Sequence, residues 1–137
     1  MNYFNTFIEV AADCKATQGV PPKPRAGKPT VAELEYALIS QAPYAHTQED
    51  VQFHVHASRV GISAGQLAAS GVRLREEFFS KPMACMRTSP LAKTHGWGLH
   101  FDERGQVALV SVDTARYRAL ADDPTLAHTR AMRSRRA

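Results

Sequence analysis

His100 and Asp102 stand two residues apart in a segment that alternates apolar and polar residues as a β-strand does. On a strand they project from one face, roughly 6–7 Å apart. A carboxylate that orients an imidazole makes a general base or positions a metal ligand. Cys85, on a short strand predicted over 84–87, would complete a Cys-His-Asp set for nucleophilic catalysis. No nucleophile elbow or cysteine signature surrounds Cys85, however. The competing roles are a small hydrophobe for Cys85 and a hairpin surface residue for His100.

The densest polar stretch, 87–102, suggests a second chemistry. Ser89-Pro90 reads as an N-cap followed by Pro at the first helical position, closed by Gly96. The first amides of that helix, beside Arg87, would seat a phosphate or carboxylate, with Lys93 adding charge and Trp97 an apolar wall. The structural alternative is that Ser89 only caps and Arg87 pairs with Glu76 or Glu77. His54 and His56 would share a metal on a strand, but on a helix they diverge by about 200°. No Walker or dinucleotide loop occurs. No metal and no cofactor are expected.

The elements that must position these residues come from capping and periodicity. Residues 3–10 read as a strand, with Phe4, Thr6, Ile8 and Val10 on one face. Thr30 and Glu33 form a capping box ahead of Val31, Leu34 and Leu38, which predicts a helix ending before Pro43. Residues 47–62 carry conflicting signals: Val51, Phe53, Val55 and Ala57 alternate like a strand, yet Thr47, Asp50 and Gly61 mark helix ends. The marked ends favour a helix. Ser63 and Gln66 start a further helix through Leu67, Leu74 and Phe78, with Gly71 able to break it, and Pro82 ends it. Residues 97–112 form a hairpin around Asp102-Glu103-Arg104-Gly105, and the apolar return strand reads as central. Asp113 and Asp123-Pro124 are predicted to start two more helices. This is an α+β pattern: one domain over 1–129, with a three- or four-stranded, mainly antiparallel sheet and helices packed on one face.

At 137 residues, 44% hydrophobic and 22% charged, the chain suits one globular domain and excludes a disordered tail or a disulfide miniprotein. Two cysteines, Cys14 and Cys85, make no disulfide framework, and reduced thiols point to a cytoplasm. No apolar run is long enough to span a bilayer, so no membrane partner is expected. The start carries Glu9 and Asp13 without a basic n-region, which argues against a signal peptide. Residues 15–29, rich in Pro and Gly, form an extended basic connection of charge +4, and the tail 130–137 also holds +4. Because the whole chain is +4, the remaining body is acidic, at −4. Pro21 and Pro24 beside Arg25 also match a PxxP spacing, though a plain linker explains them.

The segments MNYFNTFIEV (1–10), EFFSK (77–81), SPL (89–91), GWGLHFD (96–102) and the Arg-rich ending AMRSRRA (131–137) resemble a small family of uncharacterised bacterial proteins. That family is a domain of unknown function. The resemblance covers nearly the whole chain and implies a soluble bacterial protein, with no substrate, cofactor or catalytic residue attached. Three functions follow as expectations. The first is a non-enzymatic binding module for an anionic small ligand or acidic partner, using Arg87, Ser89, Lys93 and Trp97. The second is a small enzyme using His100, Asp102 and Cys85. The third is a nucleic-acid-associated protein using the basic tail.

Overall fold

A computed structural model describes residues 2–134. Its organising feature is the adjacent pair Phe7 and Ile8, both fully buried. Neighbouring strand residues face opposite ways, so both faces of β1 (Thr6–Glu9) must be covered. Accordingly β1 lies inside a four-stranded sheet of order β3-β2-β1-β4. It pairs antiparallel with β2 (Trp97–Phe101) and parallel with β4 (Ala127–Arg130). β2 pairs antiparallel with β3 (Val107–Ser111), from Trp97↔Ser111 to Phe101↔Val107. This is the expected α+β architecture, with one parallel pair. Ile8 is a core residue as expected, but Phe4 precedes the strand and is 53% exposed, and Phe7, on the other face, is buried as well.

The main core lies on the face of Ile8, Leu99, Phe101 and Val107. It is covered by α1 (Val31–Gln41), α2 (Gln48–Val60) and α4 (Pro90–Lys93). A smaller core of Phe7, Val110 and Tyr117 lies on the other face under α5 (Ala115–Ala121). Helices therefore cover both faces, with α5 the one on the second among the described residues. Burial on both faces explains the apolar run of β3, which is an edge strand and not the central one predicted. Its open edge is closed by the α1–α2 connection: Tyr44 N–H donates to Val107 O (2.9 Å) and Val107 N–H to His46 O (2.8 Å).

The helix ends follow the capping signals. α2 has both bonds of the Thr47–Asp50 box and ends at Gly61 in the left-handed region. Its strand-like alternation comes from two helical stripes, with Val51 and Val55 on the main core and Phe53 against Phe78. α3 (Ala64–Phe79) has the Ser63–Gln66 box and is interrupted at Ser70 (φ −138°), one residue before the predicted breaker Gly71. α1 keeps half of its box: Thr30 Oγ1 accepts from Glu33 N–H, but the Glu33 carboxylate accepts from Arg25 N–H.

Three predicted elements differ. Residues 84–87 are no strand but lead into a 3-10 turn, Met86–Thr88, closed by Thr88 N–H to Cys85 O and Ser89 N–H to Met86 O. Thr114, not Asp113, caps α5, because its Oγ1 reaches Tyr117 N–H at 3.1 Å. Asp123 starts no helix; its Oδ1 accepts from the backbone and hydroxyl of Thr125, a turn that feeds β4. β4 includes Arg130, so the first residue of the expected tail belongs to the sheet, and Ser134 N–H bonds the Asp13 carboxylate. Arg135, Arg136 and Ala137 of that tail lie outside the described residues.

The basic connection 15–29 is strapped across the end of the sheet. Val20 N–H donates to His95 O (2.8 Å), Trp97 Nε1–H to Val20 O (3.0 Å) and Gly19 N–H to Ser111 Oγ (2.7 Å). Gly96 permits the crossing: it sits at φ +81°, and a Cβ there would lie 2.3 Å from Gln18 O. Gly96→Ala should therefore cost roughly 1–3 kcal/mol through strain and overpacking. It should also free the strap, read as faster limited proteolysis within 15–29.

Candidate functional site

The structure ties each residue of the predicted anion seat to a different partner. Arg87 Nε–H donates to Arg130 O (2.7 Å), while Arg87 O accepts from Met132 N–H (2.8 Å). Its guanidinium holds the incoming β4 end and pairs with neither Glu76 nor Glu77. Ser89 caps α4 as expected, with Oγ accepting from Leu91 N–H. It is only 3% exposed, and its hydroxyl donates to Glu35 Oε1 at 2.7 Å. Lys93 closes the far end of α4. Trp97 packs against Tyr36 (5.7 Å between centroids) and the strap. None of the four lines either of the two cavities described below.

The Cys85, His100 and Asp102 set is not assembled either. Cys85 lies beside Tyr3, whose ring lies 5.3 Å from Phe101, on the main-core face. His100 pairs across the sheet with Phe7 and so faces the α5 side. The sheet separates thiol from imidazole. Asp102 does not orient His100; its Oδ1 accepts from Arg104 and Gln106 N–H, fixing the hairpin turn. The partner of His100 is Tyr44, whose hydroxyl hydrogen-bonds Nδ1 at 2.7 Å and accepts from Arg116. Burial, then the Arg116 charge, holds His100 below its ordinary value. The Tyr44 backbone lies at φ +57°, a conformation costly for an aromatic residue. His54 and His56 diverge on α2 as expected, with His54 against His46 and His56 stacked on Phe78 at 4.4 Å. Among the described residues no group of three or more His, Cys, Asp or Glu is placed to hold a metal.

What the fold does assemble is a groove between α1, α2 and the end of α3. It encloses about 500 Å³ and has apolar walls that include Val31, Val55, Phe78 and Met83. Lys28 and Arg59 line it as exposed cations, and Glu35 is the only acid among its lining residues. Glu35 is 6% exposed. Burial pushes its carboxyl up to about 7, against a smaller lowering by the Ser89 hydrogen bond. A second cavity of about 370 Å³ shares Gln52 and Met83 with the groove and reaches Tyr3 and Cys85. Gln52 Nε2–H donates to Ala84 O (2.6 Å), pinning the segment that runs beside both. Burial, then the contact with Cys85, pushes the Tyr3 hydroxyl up to about 12. A buried carboxyl that titrates near neutrality, set in a largely apolar concavity, is a common signature of a binding or catalytic site.

Residues 1–137 match the model of a family of unknown function, DUF6157. The chain belongs to this family. No curated protein and no solved structure matches it.

Sequence reasoning missed Glu35, although a signal for it existed. Glu35 follows Val31 by four residues and precedes Ile39 by four, so it falls on the apolar stripe of α1. An acid on the buried stripe of an amphipathic helix needs a partner or a function. The DUF6157 groove also draws on Lys28, Arg59, Phe78 and Met83, from four separate segments, and no local motif announces that set. Among the described residues no helix is long and apolar enough to cross a membrane.

Proposed function

We propose that this protein is a binding module for a small amphipathic ligand carrying an anionic group, seated in the groove between α1 and α2. The observation that carries this reading is the groove itself: apolar walls, two exposed cations and one buried carboxyl. The apolar walls favour a hydrocarbon body. Lys28 and Arg59 offer charge to an anionic head, and their solvation keeps the attraction modest. The anion then meets cations on the connection and on α2, and not the 87–97 stretch. We place the role in a bacterial cytoplasm, a setting that the free thiols of Cys14 and Cys85 support.

The test is a titration with caproate followed by amide chemical shifts. Shifts are expected at Val31, Val55, Val60 and Met83. Arg59→Ala should weaken binding about fivefold, the scale of one exposed charge pair. Lys93→Ala should leave the affinity unchanged. An absence of shifts, or shifts confined to the 87–97 stretch, would overturn the proposal.

A further inference from the structure

We infer that the ligand is zwitterionic, an amino acid whose ammonium pairs with Glu35 at the base of the groove while its carboxylate meets Lys28 and Arg59. This rests on the binding role proposed above and assigns the chemistry of both ends of the ligand. Glu35 is the one acid in the groove, and its hydrogen-bond partner there is the Ser89 hydroxyl, which brings no counter-charge. Among the described residues Glu35 forms no ion pair.

The charged and titratable groups around Glu35 come from each element packed on α1. The connection gives Lys28, and α2 gives His56 and Arg59. α4, capped by the neutral Ser89, carries Lys93 at its far end, whereas β3 carries no ionisable side chain. The groove thus offers a buried negative site without a cation beside two exposed positive sites, with methylene-sized apolar wall among them. A carboxylate placed against Glu35 would meet like charge in a low dielectric. An ammonium there gains a counter-ion and leaves the ligand's own carboxylate for the exposed cations. Because Glu35 holds its proton up to about pH 7, pairing with an ammonium requires ionisation first. The preference for a zwitterion must therefore grow as pH rises.

The experiment compares ω-aminobutyrate, ω-aminocaproate and ω-aminocaprylate with butyrate, caproate and caprylate, by calorimetry on the full chain. At pH 8 at least one amino compound should bind about tenfold more tightly than its parent, the scale of one added charge-assisted contact. At pH 5.5 that advantage should largely vanish, and proton release should accompany binding. Glu35→Gln, which keeps an acceptor for Ser89, should abolish the advantage at both pH values. Equal affinities at pH 8, an advantage that survives Glu35→Gln, or proton uptake on binding would each overturn the inference, with the binding role left standing if caproate still binds. If no compound of either series binds, the binding role falls and the inference with it. The pH comparison on the unaltered chain decides the matter even if the Gln variant fails to fold.

Discussion

Glu35→Gln should stabilise the protein by about 3 kcal/mol at pH 8 and change it little at pH 4. The carboxyl titrates near 4.5 when solvated and at about 7 in the fold, where burial is the larger cause. Between those values the folded chain holds a proton that the unfolded chain has released. Stability therefore falls as pH rises through this window and stays low above it. Gln keeps the shape and the acceptor for the Ser89 hydroxyl but has no proton to lose. His100 works in the opposite direction, because its depressed value makes the fold lose stability as pH falls below the ordinary imidazole range. Both variants retain His100, so it cancels in the difference between them. Urea denaturation at pH 4, 6 and 8 reads that difference. A gap that does not widen with pH would mean that Glu35 is ionised in the fold, and the buried-acid account of the groove would fail. A stability cost of this size, carried by a residue on an otherwise apolar stripe, is what a site adapted to a ligand leads one to expect.

The parts of this fold that were legible in the sequence are those governed by neighbours within four residues. The Thr47–Asp50 and Ser63–Gln66 boxes, the Gly61 stop and the 97–111 hairpin depend on local hydrogen bonds and on period-two alternation. β4 was not legible. Ala127, His128, Thr129 and Arg130 show no apolar alternation, because this edge strand is held by backbone pairing to β1 and is exposed along most of its length. The candidate site divides in the same way. Ser89 was correctly read as a cap, a local property, but its hydroxyl lies against Glu35, 54 residues away in sequence. His100 was read with Asp102 because two residues separate them, whereas the sheet register gives it Tyr44, 56 residues away. Spacing shows which side chains share a face; it does not show what the fold lays upon that face.

Phe7→Ala should be the most damaging single truncation on the α5 side, costing roughly 3–5 kcal/mol. Phe7 is fully buried, and its ring meets Tyr117 edge-on at 5.0 Å. With Val110 these two make up the buried part of the second core, so little else there can close over the void. Tyr117 also accepts a hydrogen bond from Val10 N–H (3.0 Å), which ties α5 to the end of β1. Loss of Phe7 should therefore loosen α5 before the main core, seen as faster amide exchange over 115–121 than over α1. Gly98 sharpens the test. A Cβ at Gly98 would lie 2.7 Å from the Phe7 ring and 2.8 Å from that of Tyr117, so Gly98→Ala alone should cost roughly 1–3 kcal/mol by overpacking. In the Phe7→Ala background the same methyl enters space already vacated. The double variant should be more stable than the two single losses predict, by at least about 0.5 kcal/mol. Strict additivity would mean that Phe7 and Gly98 are not in contact, and the register Phe7↔His100 that separates His100 from Cys85 would fall with it. The groove lies on the opposite face, so caproate binding should survive in Gly98→Ala wherever that variant is folded.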